Sequence, residues 1–478
     1  MLLYLINPSN PAVSILKIKQ SRWNRFRVWK PLSLMVLAGS TPPEWDVKIF
    51  DENLGIPDYT SMPLPDLVGI TAFTSQANRA YECAAYFRGK GVPVVMGGIH
   101  ATMRLEEALE RVDSVVTGEG ENIWGSVLED VKNGKLKRRY DGGFAETTNM
   151  SGARHDLLPD KYAFGSIQTT RGCPLNCNFC TVTSFNGAHY RQRPVEDVVR
   201  ELRQISEKRI LVVDDNIIGT HPDHIERAKA LFRAIAEAGL GKEWFAQATI
   251  NFGDDEEMLS LARKAGCRGV FIGFESPTPE GLRELGKKYN LLKSRDFPAT
   301  VRRIQRHKIM VVGSFIVGLD IDGRGIGKRV ARAADMYGVD LMNTLFLTPL
   351  PGTKLWERMC GENRIALNNF PDDWNYYTLT YPVARYANFT AEEIIEEMIA
   401  CNRAFYALPR IIRRTWRACW NRRQPFVNLI GNLSARNNLR INMKAYTAYK
   451  KAGSYEKWKA GEMENRLSGF LARKNSGA

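Results

Sequence analysis

No apolar run in this chain is long enough to cross a bilayer. Its first residues, MLLYLINPSNP, lack a basic lead and break at Pro8 and Pro11, so neither a membrane span nor a secretory leader is expected. Cysteine does not supply a disulfide framework either. Eight occur, at 83, 173, 177, 180, 267, 360, 401 and 419, and only the trio at 173, 177 and 180 is clustered. That scatter predicts a reducing, cytoplasmic setting. Acidic residues are missing altogether from 398 to 455, where twelve Lys and Arg stand. This one stretch carries most of the net charge of +15. A second basic and aromatic run, KIKQSRWNRFRVWK, spans 17 to 30. Such runs are read either as solvated faces or as contacts for an anionic partner. No internal repeat or low-complexity tract is present.

What the chain does have is 478 residues with 44% hydrophobic content, enough for two or three domains with a substantial core. The predicted class is α/β. From 1 to 145, LLYLINP, DVKIFDE, LVGITAF, VPVVMGG and DSVVTGEG read as five strands between helical stretches, the pattern of a Rossmann-like doubly wound domain. Between the third and fourth runs, QANRAYECAAYFRGKG reads as a helix closed at Gly91. From 150 to 360 six further strands, SIQTTRG, RILVVDDN, WFAQATIN, GVFIGFES, MVVGSFIVG and MNTLFLTPLPG, suggest a partial (β/α)6 barrel with its active site at the carboxyl ends of the strands. From 361 to 478 the chain turns mainly helical and basic, with Thr390 as a cap for TAEEIIEEMIACNRAFYAL.

The chemistry is concentrated in CPLNCNFC, which places Cys173, Cys177 and Cys180 at i, i+4 and i+7 just after a strand and Gly172. A structural zinc wants a fourth short-range His or Cys, yet the next His is His189 and no second CxxC pair exists. A ferredoxin-type cluster also wants four cysteines. Three thiolates leave one iron of a [4Fe-4S] cube open to bind a substrate.

The CxxxCxxC spacing, with Phe179 before the third cysteine, resembles the radical S-adenosylmethionine superfamily. The resemblance implies that the amino and carboxylate groups of S-adenosylmethionine chelate the open iron and that an electron splits the sulfonium. Residues for S-adenosylmethionine carry over by position. Asp214, Asp215 and Asn216 end the second barrel strand, where the family's usual Gly-Gly-Glu meets the methionine amino group. Glu275 ends the fourth, facing the ribose. Gly313 opens the fifth-strand motif along the adenine, and backbone near Leu347 completes that pocket. Arg191 and Arg193 are candidates for orienting a carboxylate.

The first domain resembles the cobalamin-binding domain that precedes the radical module in one large subfamily, through DVKIFDENLG, LVGITAFTSQANRAYECA and VPVVMGGIHAT. Gly97, Gly98, Gly118 and Gly120 would admit a flat, bulky ligand, and Thr71, Ser75 and Thr117 would bond its polar groups. The DxHxxG motif that supplies an axial histidine elsewhere is missing, and His100 is read as a loop residue rather than a cobalt ligand.

The resemblance implies a cobalamin-dependent C-methyltransferase acting on an unactivated carbon of a small-molecule or lipid-like substrate. It uses a [4Fe-4S] cluster, S-adenosylmethionine and cobalamin, with an electron donor such as flavodoxin or ferredoxin. Oxidative cyclisation or ring rearrangement occurs in the same subfamily. A non-catalytic iron-sulfur redox or nucleic-acid-binding protein is the alternative of another class, and no nucleic acid is expected. In the tail, Ile412, Trp416 and Trp420 fall at i, i+4 and i+8 of a helix begun near Ile411 and flanked by arginines. This stripe either packs on the barrel or lies in an anionic membrane surface and brings the active site to it.

Overall fold

The computed structural model describes residues 1–10, 29–148, 150–158, 162–294, 296–420 and 424–452. Residues 17 to 28 of the N-terminal basic run, and the chain beyond 452, lie outside them.

In the first domain, β1 (Leu2–Asn7), β2 (Asp46–Asp51), β3 (Leu67–Thr71), β4 (Val94–Gly97), β5 (Ser114–Thr117) and β6 (Arg139–Asp141) form one sheet in the order β2-β1-β3-β4-β5-β6. All its pairings are parallel. Four consecutive residues of β1, Leu3 to Ile6, are buried, as a strand with both faces covered requires. The winding direction reverses between β1 and β3, which makes the carboxyl edge there a topological switch point, the usual place for a ligand. The short edge strand β6 carries too few apolar residues to register as a strand in the sequence.

The second domain starts with β7 (Gly165–Ile167), followed by β8 (Thr170–Arg171) and β9 (Arg191–Gln192), which pair antiparallel and clasp the chain between them. Then β10 (Arg209–Val212), β11 (Glu243–Ala248), β12 (Cys267–Glu275), β13 (Met310–Val317) and β14 (Leu341–Phe346) extend β7 into a six-stranded parallel sheet, β14-β13-β12-β11-β10-β7. This is the expected partial barrel. The predicted cap holds: Thr390 and Glu393 form a reciprocal capping box at the start of helix Ala391–Phe405. Ile394, Ile395, Met398, Cys401 and Phe405 of that helix join the barrel core.

Residues beyond 361 serve the first domain as well. Leu367, Trp374, Tyr376, Tyr377 and Val383 complete its core, and Trp374 Nε1 donates to Glu107 at 2.8 Å. The two domains are thus tied by a return of the chain as well as by direct contact.

Candidate active site

The cysteine loop leaves β8 through Gly172, whose φ is +82°. A Cβ there would lie 2.2 Å from the carbonyl oxygen of His189, so the turn requires glycine. Cys177 is buried, and Cys173 and Cys180 are half-buried. Burial pushes Cys173 up to about 11 and Cys180 up to about 12. Such thiols become thiolates only when a cation holds them. Among the described residues no three Cys, His, Asp or Glu side chains converge as tightly as a single metal ion demands. A four-iron cube takes its cysteines on separate irons rather than on one ion.

A cation is built in that the sequence did not reveal. Lys287 is half-buried, its Nζ sits 3.1 Å from Oε1 of Glu275, and it acts electrostatically on Cys177 and Cys180. The turn carrying it is pinned to the cysteine loop: Asn178 N donates to Leu285 O at 3.1 Å, and Asn178 Nδ2 to Glu284 O at 3.1 Å. Glu275 has φ of 63°, a strained conformation for a residue with a Cβ. It is buried and ion-paired rather than solvated.

Asp214, Asp215 and Asn216 follow the end of β10, with a bend at Asp215, and their side chains take different partners. Asp214 is fully buried and accepts from both N and Oγ1 of Thr169, and burial pushes its carboxyl up to about 6. Asn216 faces inward too, accepting from Thr249 at 3.4 Å. Only Asp215 reaches the cavity described next. It accepts from Gly172 N at 3.1 Å and Asn186 Nδ2 at 3.0 Å. Gly313 packs against Val339, Phe315 and Phe274. At Leu347 the backbone is already used, its N–H donating to Val317 O and its carbonyl accepting from Tyr386 Oη.

A cavity of about 640 Å³ runs from the switch point of the first sheet to the barrel mouth. Thr71, Ser75, Gly97, Gly98, Gly118 and Gly120 line it on one side, and Asp215, Thr181, Val182, Phe185 and Asn186 on the other. Gly98 has φ of +86°, and a Cβ there would lie 2.6 Å from Thr71 Oγ1. Thr117 departs from expectation. Its hydroxyl donates to Tyr140 O at 3.2 Å on the β6 side, and it does not line the cavity. His100 is fully buried, with Nε2 2.9 Å from Tyr81 Oη, and does not line the cavity either. The space between the glycine-rich turns and the barrel fits a flat macrocycle.

Arg191 and Arg193 do orient carboxylates, but the protein's own. Glu119, from the turn after β5, receives Arg171 Nη1 at 2.7 Å, Arg191 Nη1 at 2.8 Å and Ala145 N at 2.8 Å. Burial would raise the Glu119 carboxyl, but the bonds from Arg191 and Arg171 outweigh it and hold the group below the usual range. Arg193 donates to Glu201 at 2.7 Å. One buried carboxylate of the first domain therefore grips the two strands that clasp the cluster loop.

Fold and site together define a radical enzyme with a corrin-binding domain. The sequence matches the Radical SAM superfamily over residues 167–323 and the B12 binding domain over 26–128. It is 31% identical over 419 residues to an uncharacterized methyltransferase of Pyrococcus horikoshii, covering 80% of this chain and 89% of that protein. To the bacteriochlorophyllide d C-12(1)-methyltransferase of Chlorobaculum tepidum it is 30% identical over 407 residues, covering 80% and 84%. The fold is similar to that of TsrM, a radical S-adenosylmethionine methyltransferase from Kitasatospora setae solved with cobalamin and a [4Fe-4S] cluster, with a TM-score of 0.60, 19% identity, and coverage of 76% and 78%. This chain belongs to the cobalamin-binding-domain-containing radical S-adenosylmethionine enzyme family. Its cofactors are the [4Fe-4S] cluster, S-adenosylmethionine and cobalamin. No helix among the described residues is long and apolar enough to cross a membrane.

Proposed function

We propose that this enzyme transfers a methyl group to an unactivated carbon of a small, apolar or lipid-like molecule. One observation carries the reading: the glycine-rich turns of the first domain and the residues that follow Cys180 are walls of the same cavity. Cys173, Cys177 and Cys180 would hold the cluster, and the turns at Gly97, Gly98, Gly118 and Gly120 would hold cobalamin. When bound, the cluster with S-adenosylmethionine supplies one-electron cleavage and hydrogen abstraction, and cobalamin supplies the methyl group. The chain contributes placement and exclusion of water. Val182 and Phe185 make the barrel side of the cavity apolar, which suits an apolar substrate. Asp215, fixed by Gly172 and Asn186, presents a carboxylate for the amino group of S-adenosylmethionine. The bacteriochlorophyllide relative is named for methylation at a carbon, which supports the same reaction class here. The electron comes from a small carrier such as flavodoxin or ferredoxin, and the cytoplasmic enzyme touches an anionic membrane surface.

The test is anaerobic incubation of reconstituted protein with dithionite, S-adenosylmethionine and cobalamin. Methyl transfer consumes S-adenosylmethionine in two ways, so both S-adenosylhomocysteine and 5′-deoxyadenosine are expected. Formation of 5′-deoxyadenosine without S-adenosylhomocysteine would replace methyl transfer by cyclisation or rearrangement.

A further inference from the structure

Helix Leu408–Trp420 is inverted relative to an ordinary surface helix. Its inward residues are Ile411, Arg414 and Ala418. Arg414 lies 3.8 Å over the ring of Phe405 and donates to Phe405 O at 2.8 Å, Asn432 Oδ1 at 2.9 Å and Asp335 Oδ1 at 3.2 Å. Its outward line, at successive i+4 positions, is Leu408, Ile412, Trp416 and Trp420, which are 49%, 64%, 63% and 77% exposed. The rings of Trp416 and Trp420 stack at 5.7 Å. Phe426, at the start of the next helix, is exposed as well. The stripe expected to pack on the barrel or in a membrane surface does not pack on the barrel.

An exposed apolar line of this size needs an occupant. Charge narrows the choice. Arg410, Arg413 and Arg414 all approach the single carboxylate of Asp335, so the helix keeps an excess of positive charge, and no acidic residue occurs from 398 to 455. Two copies of such a surface would repel each other. An anionic bilayer satisfies both features, since tryptophan favours the headgroup level and arginine pairs with acidic lipid.

We propose that Leu408–Trp420 is an interfacial anchor that holds the enzyme on an anionic membrane. The inference deepens the membrane contact proposed above but stands apart from the methyl-transfer chemistry. It also fixes an orientation. Asp335 lies in the last turn of helix Ile326–Tyr337, which precedes β14, and Asn428 and Asn432 bond Asp340 at the amino end of that strand. The anchor therefore lies at the end of the barrel opposite the cysteine loop. It does not press the mouth into the lipid, but leaves it open to S-adenosylmethionine and a soluble reductant.

The test is co-sedimentation of the full chain with phosphatidylglycerol or phosphatidylcholine vesicles. Binding to the anionic vesicles alone is expected, weakening with salt. W416A/W420A should reduce it by about tenfold or more, and R413E should also lower it without altering the stripe. Equal binding to both vesicles, binding to neither, or anionic binding unchanged by W416A/W420A would overturn the anchor. So would conversion of a dimer to a monomer by that variant, which would make the stripe a self-association face. Cleavage of S-adenosylmethionine without vesicles should be the same in W416A/W420A as in the parent. Vesicle binding without S-adenosylhomocysteine formation would leave the anchor standing and sink the methyl-transfer reading.

Discussion

Lys287, half-buried on a turn tied by Asn178 to the loop between Cys177 and Cys180, is paired at 3.1 Å with the buried Glu275. Lys287 puts a positive charge beside thiols that burial holds protonated, and Glu275 partly offsets it. Iron-sulfur potentials respond to nearby charge. Lys287→Met should therefore lower the midpoint potential of the cluster, and Glu275→Gln, which frees the ammonium, should raise it. Redox titration followed by electron paramagnetic resonance reads both. Shifts of the same sign would remove the electrostatic role.

Replacing Cys173, Cys177 or Cys180 by Ala should abolish the cluster's visible absorbance and the release of 5′-deoxyadenosine, because the cube loses one of three anchors. Full cleavage activity in any one variant would overturn the assignment of the cluster to these residues.

Gly98→Val should abolish retention of corrin while sparing the cluster. The new side chain would be forced into a positive φ with its Cβ against Thr71 Oγ1. The parent protein, reconstituted with hydroxocobalamin, should keep about one corrin per chain through gel filtration, as a single switch point implies. Its spectrum should show no imidazole from the protein, and His100→Gln should leave the cobalt bands unchanged.

Glu119→Gln should cost about 3–5 kcal/mol, the usual result of removing one partner from a buried ion pair. Here two guanidiniums, Arg171 and Arg191, lose their shared carboxylate. The pH dependence has a definite sign. The folded carboxyl lies below its unfolded value, so its contribution is present above the ordinary carboxylate range and is lost as pH falls through the folded pKa. Melting curves of parent and variant should converge on acidification. A constant gap would show that the loss is one of packing.

The eleven runs that became strands of the two sheets were legible because a parallel sheet covered by helices favours short, largely apolar segments. Thr390 was legible as a capping residue before a helical run, and the structure adds its reciprocal partner, Glu393. Lys287 was not, since a lysine in LGKKYN looks like any solvated basic turn until Asn178 pulls that turn onto the cysteine loop. Arg191 and Arg193 were visible as carboxylate binders, but their partners, Glu119 and Glu201, come from 72 and 8 residues away, and no local pattern encodes the longer pairing.

The sequence by itself determined the layer architecture, the three thiols at the end of a strand, and the glycine-rich turns, because these depend on periodicity, backbone freedom and short spacing. Only the tertiary structure decided which of Asp214, Asp215 and Asn216 meets the cavity, that Thr117 turns toward β6, and that the helix at 408–420 turns Arg414 inward and its tryptophans outward. Each of those outcomes depends on which neighbour arrives from a distant part of the chain. Asp214 is claimed by Thr169, Thr117 by Tyr140, and Arg414 by Asp335 and Asn432. A buried polar group turns toward whatever partner satisfies it, and that partner is a property of the fold.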